Sequence, residues 1–541
     1  MISEGLRKAV DEAEAVAFDV FDTLLVRPFL RPEHLFTFLE DRYGATGFAG
    51  LRVQAERTAR RRCRAEVDID EIYSFLPDFK DMKEKEITAE LELCRPDPRV
   101  SEVWDYAVSS GKKVFLVSDM YLPEKVISDM LERNGFSGWS ALYVSNSHSA
   151  GKCDGGLYDI IIKDLDIEPS RILMIGDNRH SDVSVPGSKG IMTCRWTPMH
   201  ELYSKRYPNE YRGAVRDPRL SFIAGIDMLS AKDEDEEYWH MVGRRFAGPL
   251  MLSFAMFVRS VEKDYDKLFF CSRDGYAVMK AYELLGGKTP FEYVYSSRYI
   301  SNSLTEGVMT DKKKSASVPG FLKACGHDVP DDVNEIEKLL HLESEKYTEY
   351  LRSCAGDAKR ILLVDSTTMN FSAQVDIAKR LDGKEVAGCY CSVMKDSELP
   401  HHTFSDRSKQ FISWSYVNLC ELFLSSDEPH VRAVRDGRPV FAEPTDLDRE
   451  RISHYPAIYD GEKEYILDFI EHFGADCDVI RSETVDGWFT VLIGNEKRTK
   501  GPLWKMKWPA DVSNTEFVNL LFKPIELIGV VKCKIGGLLN I

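Results

Sequence analysis

A chain of 541 residues is too long for one ordinary hydrophobic core, so two or three domains are expected. Hydrophobic residues make up 43% and charged residues 29%, a globular composition. The net charge of −17 excludes a general nucleic-acid binder, which needs a basic face against phosphates, but it permits a local basic pocket.

The N-terminus, MISEGLRKAVDEAEAV, lacks the apolar core of a signal peptide. No apolar run is long enough to predict a membrane span. The twelve cysteines are scattered without a Cys-x-x-Cys pair, which fits free thiols in a reducing cytoplasm rather than a zinc ribbon. Residues 15–24, AVAFDVFDTL, read as an apolar strand entering an acidic loop. Residues 31–110 carry apolar positions at three-to-four spacing and predict helices. Four short apolar runs follow, in KKVFLVSDM, SALYVSN, RILMIGDN and GIMTCRW. Strands alternating with helices predict a doubly wound, mostly parallel α/β sheet. The helical stretch at about 27–108 then reads as a cap inserted after the first strand.

The first domain is expected over 1–205 and a polar linker over 206–217. A second Rossmann-like α/β domain is expected over 218–445. Its strands are predicted in DKLFFCS, FEYVYSS, RILLVDS and AGCYCSVM, and a hairpin is predicted to turn at Asp436-Gly437. Residues 446–541 form an extension of uncertain fold, with a helix at EKEYILDFIEHF and a strand at GWFTVLI. Its greasiest stretch, Ile525–Ile541, reads as a packed tail rather than a membrane contact.

Ligands of open α/β sheets bind at the carboxyl ends of the strands. That rule selects Asp19, Asp22 and Thr23 after the first strand and Ser118 and Asp119 after the next. It also selects Asn146 ahead of Gly151-Lys152, and Asp177 with Asp182 after Gly176. Carboxylates gathered on one rim repel one another unless a cation sits among them, and a hard divalent cation such as magnesium prefers oxygen ligands. In the second half the same rule selects Arg273, Asp274, Arg298 and Asp365. Thr367 and Thr368 stand before a helix suited to an anion.

The ordered series Asp19-Val-Phe-Asp-Thr23, Ser118, Lys152 and Gly176-Asp177-x-x-x-x-Asp182 resembles the four motifs of the haloacid dehalogenase-like (HAD) hydrolase superfamily, over about residues 12–200. The resemblance implies a magnesium-dependent phosphohydrolase or phosphotransferase acting through an aspartyl-phosphate on Asp19. It implies Mg2+ held by Asp19, the Phe21 carbonyl, Asp177 and Asp182. Ser118 and Lys152 would contact the phosphoryl group, and Thr23, Asp119 and Asn146 the substrate. The family's phosphatases carry an acid/base two residues after the nucleophile, whereas Phe21 stands there; Asp22, one residue later, takes that catalytic role if the loop turns it inward. This departure leaves open a low-pKa leaving group, a metal-free dehalogenase, or a non-catalytic binding protein on the same fold.

FDVFDTLL, VSDMYLP and a trailing SRDGY domain also resemble predicted HAD hydrolases linked with surface polysaccharide. That resemblance implies a small sugar- or nucleotide-linked phosphate substrate and a glycosyltransferase or polysaccharide-assembly partner.

Overall fold

A computed structural model describes residues 2–62, 66–230, 236–406, 414–509 and 517–519. The chain forms two compact units. The first is Met1–Asp233 with Glu471–Val479, and the second is Glu234–Ile470 with Ile480–Ile541.

In the first unit, β1 (Ala15–Asp19) is buried along its whole length, as a central strand covered on both faces must be. A two-residue strand, β2 (Leu25–Val26), pairs antiparallel with β3 (Arg95–Pro96) and closes the base of the inserted cap. The remaining sheet strands are β4 (Lys113–Ser118), β5 (Ala141–Val144), β6 (Ile172–Gly176) and β7 (Met192–Arg195). Their order is β5-β4-β1-β6-β7, and every pairing is parallel. Ala15, Ala17, Phe115, Val117 and Met174 from the strands pack with Leu157, Tyr158 and Ile161 of a covering helix.

The cap consists of helices His34–Tyr43, Phe48–Arg62, Ile69–Tyr73 and Met82–Leu93. Asp68 and Glu71 form a reciprocal capping box at the third of these. An ion pair between Arg52 and Glu86, both fully buried, ties the second helix to the fourth at 2.7 Å. Tyr73 donates to the same Glu86 carboxylate.

The second unit repeats the architecture with β8 (Lys267–Cys271), β9 (Phe291–Val294), β10 (Arg360–Thr368), β11 (Glu385–Val393) and β12 (His401–Asp406). The order is β12-β11-β10-β8-β9, again all parallel. The hairpin of β13 (Val431–Arg435) and β14 (Arg438–Phe441) turns at Asp436-Gly437, both with positive φ as a two-residue turn of this kind requires.

Three expectations need correction. Residues 206–217 are not an open linker: they carry helix Pro208–Ala214 within the first unit. The following helix, Pro218–Leu229, also belongs to the first unit and is buried from Leu220 to Met228. Its close approach requires Gly225, because a Cβ there would lie 2.0 Å from the Pro28 carbonyl oxygen. The run GWFTVLI is helical, inside Ser482–Thr499. Val485, Trp488, Phe489, Leu492 and Glu496 are buried there at three-to-four spacing, so periodicity outweighs the local β propensity. Strand β12 was not expected from the sequence.

The apolar run Ile525–Ile541 lies outside the described residues. No helix among the described residues is long and apolar enough to cross a membrane.

Candidate active site

The centre of the first unit lies where its strand order reverses. From β1 the chain runs to β4 and β5 on one side, then returns to β6 and β7 on the other. Asp19 ends β1, and Asp177 follows the last residue of the adjacent β6. Asp182 sits in the helical turn beyond β6. Carboxylate oxygens of Asp19, Asp177 and Asp182 all lie within 4.8 Å of one another.

Lys152 enters this group from the turn ahead of helix Gly156–Leu165. Its ammonium, 4% exposed, donates to Asp19 Oδ1 at 2.5 Å and to Asp182 Oδ1 at 2.8 Å. Thr23, fully buried, donates its hydroxyl to Asp19 Oδ2 at 3.1 Å. The Asn178 backbone N–H fixes the other Asp182 oxygen at 3.0 Å. Gly176 makes room for that carboxylate, since a Cβ there would fall 2.6 Å from Asp182 Cγ.

Burial pushes the Asp19 carboxyl well above its ordinary pKa against the pull of Lys152, and Asp182 and Asp177 add to the rise. Asp177 is pushed up to about 7, by burial first and then by the charges of Asp22 and Asp182. Burial disfavours the Lys152 charge, but Asp19 and Asp182 more than offset it and hold the ammonium well above its usual pKa. Three carboxylates less one ammonium leave a formal charge of −2 when all are ionised. Hard oxygens, a doubly negative balance and carboxyls straining against ionisation fit a divalent cation such as Mg2+.

Other selected residues distribute around this group. Ser118 is buried at the end of β4, one residue beyond Val117, the strand partner of Asp19. Asp119 accepts the Lys152 backbone N–H at 2.8 Å and so shapes the lysine turn. The Asn146 amide donates to the Leu122 carbonyl at 2.8 Å, making it a brace between two strand-end loops. Asp22 leaves the extended conformation with φ 59°. It has no hydrogen bond through its side chain to the central group, and it faces His200 Nδ1 at 4.0 Å. The Phe21 ring lies 4.3 Å beneath the Arg27 guanidinium, which Glu90 holds through bonds of 2.8 and 2.9 Å.

Sequence reasoning missed several partners. Glu66 reaches from the cap to Ser145 at 3.3 Å. Arg27 and Glu90 are 63 residues apart, and His200 lies in a polar stretch with no strand end to flag it.

In the second unit, Arg273, Asp274 and Asp365 do converge at the carboxyl ends of β8 and β10. Arg273 donates to Asp274 Oδ1 at 2.9 Å, while Ser425 and Ser366 donate to Asp274 at 3.3 and 3.4 Å. Arg298 is exposed at the start of its helix and lends its positive charge to Asp365. Thr368 accepts the Phe371 N–H, and the Thr367 hydroxyl is a buried atom without a hydrogen-bond partner.

A family model described as haloacid dehalogenase-like hydrolase matches residues 13–185, the segment that holds every member of the carboxylate–lysine group. Residues 13–185 are a haloacid dehalogenase-like hydrolase domain. Among solved structures, the chain is similar to an L-2-haloacid dehalogenase from Xanthobacter autotrophicus. Identity is 16%, with 39% of this chain and 87% of that one covered at a TM-score of 0.29. It is also similar to a HAD family enzyme from Bacteroides thetaiotaomicron in its magnesium complex. There identity is 13%, with 35% and 94% covered at a TM-score of 0.27. No curated protein matches. Helices Met199–Arg206, Pro208–Ala214 and Pro218–Leu229 of the first unit lie beyond this HAD-like domain.

Proposed function

We propose that the HAD-like domain is a magnesium-dependent phosphohydrolase whose nucleophile is Asp19. One observation carries this reading: Asp19, Asp177 and Asp182 converge, and a single buried lysine bonds Asp19 and Asp182. Lys152 holds Asp19 Oδ1 in place, and Thr23 holds Oδ2, so the carboxylate presents a fixed direction of attack. An Asp19 oxygen bonds to phosphorus as the bond from phosphorus to the leaving oxygen breaks. Water then cleaves the aspartyl-phosphate and regenerates the carboxylate. Lys152 balances the negative charge that grows on the phosphoryl oxygens, and Ser118 offers them a hydroxyl. Asp19, Asp177, Asp182 and the Phe21 carbonyl would hold Mg2+, which supplies charge neutralisation and alignment of the phosphate.

Phe21 favours one second reading, a metal-free dehalogenase, because an aromatic residue cannot serve as acid or base. The paired acids Asp177 and Asp182 argue against it. A sugar- or nucleotide-linked phosphate as substrate, with a glycosyltransferase or polysaccharide-assembly partner, rests on the resemblance of the FDVFDTLL, VSDMYLP and SRDGY phrases. A reducing cytoplasm suits the unpaired thiols.

The test is hydrolysis of p-nitrophenyl phosphate and acetyl phosphate by the full chain. Turnover should require Mg2+, stop on chelation, and fall at least about 10⁴-fold in Asp19→Asn. Halide release from a 2-haloacid without metal would replace this reading with the dehalogenase. Tight ligand binding with no turnover on a broad phosphate panel would replace it with a binding role.

A further inference from the structure

Helices Met199–Arg206 and Pro208–Ala214, which lie beyond the matched segment, contribute His200 and Tyr211 to the wall of a cavity of about 200 Å3. Arg27, Leu30 and Arg31, in the segment entering the cap, line the same cavity. Asp22 lines the same cavity and is close enough to the catalytic group for its charge to act on Asp177. The cavity therefore opens beside the nucleophile's own loop.

The residues around it differ in what they can do with a proton. Phe21 has none to give. Arg27 is locked to Glu90, whose charge outweighs the burial that disfavours the cation, so it stays protonated throughout. Tyr211 carries a phenol, whose ordinary pKa lies far above neutrality. His200 is about one-third exposed and meets the Asp22 carboxylate at 4.0 Å. An imidazole is the side chain whose unperturbed pKa lies closest to neutrality, and a carboxylate beside one nitrogen orients the ring.

We infer that His200, positioned by Asp22, is the proton donor to the leaving group, and that the cavity between them receives that group. The inference rests on the phosphohydrolase reading. As the bond from phosphorus to the leaving oxygen breaks, the imidazolium proton passes to that oxygen and leaves a neutral imidazole. The water that attacks the aspartyl-phosphate returns a proton to His200, restoring the imidazolium as the carboxylate of Asp19 is released. Arg27 and Arg31 give the cavity cationic edges, while Leu30 and Pro32 give it an apolar side. Cavities of roughly 150 Å3 take up benzene, so this one suits a leaving group of about one six-membered ring bearing hydroxyl or anionic substituents.

The test compares phenyl phosphate, whose leaving group needs a proton, with 2,4-dinitrophenyl phosphate, whose leaving group does not. First-turnover release of the phenol is measured on the full chain with Mg2+. His200→Gln should slow phenyl phosphate about 10²-fold more than it slows the dinitrophenyl ester. Asp22→Asn should shift the ratio in the same direction by a smaller factor, as a positioning residue would. Should His200→Gln fail to fold, His200→Asn carries the same comparison. Equal slowing of both esters, or no slowing, overturns the assignment of His200 while leaving the Asp19 chemistry intact. A wild-type chain inert on both esters overturns the phosphohydrolase reading itself, and this inference with it.

Discussion

The two sheets follow one plan, yet the acid at the opening strand is held away from ionisation in one and held ionised in the other. In each, the opening strand lies next to the strand that starts the return: β1 beside β6, and β8 beside β10. Each pair carries acids at its carboxyl ends, Asp19 with Asp177 in the first and Asp274 with Asp365 in the second. In the first sheet three carboxylates gather with one lysine bonded to two of them, and Asp19 and Asp177 are forced away from ionisation. In the second, burial works against the Asp274 charge, but Arg273 holds its pKa below the ordinary value, and two serine hydroxyls complete its bonds. The parallel sheet therefore decides where acids gather. The first centre leaves Asp19 and Asp177 short of compensating charge and suits a metal-assisted reaction, while the second pairs Asp274 with Arg273 and leaves Asp365 raised by burial.

The strongest way to break that contrast is to crowd the first centre without changing its charge. Gly176→Ala would set a methyl 2.6 Å from Asp182 Cγ, so the carboxylate must move and loosen its hold on Lys152. A misplacement of about 1 Å in a catalytic group costs about 10²-fold. Overpacking of this kind also destabilises by about 1–3 kcal/mol. Phosphatase kcat/KM and thermal unfolding of the variant measure the two effects. Full activity would show that Asp182 is not held in place for catalysis.

The second centre makes a smaller, pH-dependent prediction through Asp365. Burial first, and the charge of Asp274 second, push its carboxyl up to about 7. The folded pKa is raised, so between about 4 and 7 the folded state holds a proton that the unfolded state has lost. Asp365 therefore costs nothing below pH 4, becomes progressively destabilising as pH rises, and reaches its full penalty above 7. Asp365→Asn keeps the shape and removes the ionisation. It should stabilise the chain by about 2 kcal/mol at pH 8, since water at the rim screens part of the charge, and by about a third of that at pH 5. Equal shifts in Tm at the two pH values would contradict the buried-acid account.

Much of this plan was legible in the chain. Short apolar runs marked all five strands of the first sheet and four of the five in the second, and the order Asp19, Ser118, Lys152, Asp177, Asp182 pointed to one rim. These features are local: a strand announces itself by its own residues, and the polar residue that follows it lies at its carboxyl end. What stayed hidden depends on tertiary contact. Residues 199–229 look polar and linker-like at their start, yet Tyr203, Ala214 and Leu220–Met228 are buried in the first unit. Phe473 packs on Phe222 at 4.5 Å, joining residues 251 positions apart, so the return of Glu471–Val479 to the first unit has no local signature. His200 was invisible as a site residue for the same reason. Its meaning comes from Asp22, 178 residues earlier.

The mildest test concerns a feature both sheets share. A residue other than glycine with left-handed backbone follows the opening strand in each, Asp22 at φ 59° and Arg273 at φ 66°. That conformation costs roughly 1 kcal/mol outside glycine, somewhat less for aspartate. Arg273 offsets it through Asp274 and through its N–H, which donates to the Tyr293 hydroxyl at 2.7 Å. Asp22 recovers less through its side chain, which meets His200 at 4.0 Å, although its N–H also donates to the Leu25 carbonyl at 2.7 Å. Arg273→Gly should therefore lower stability by about 1–3 kcal/mol, because it takes the cation from a partly buried carboxylate. Asp22→Gly should raise stability by about 0.5 kcal/mol or less, the relieved strain being partly cancelled by the greater freedom of glycine in the unfolded chain. Denaturant midpoints of the two variants measure the difference. If Asp22→Gly gains stability while losing phosphatase activity, the strain at Asp22 is retained for what the side chain does in the cavity. If both variants lose stability alike, Asp22 is a structural residue, and the contrast between the two strand ends disappears.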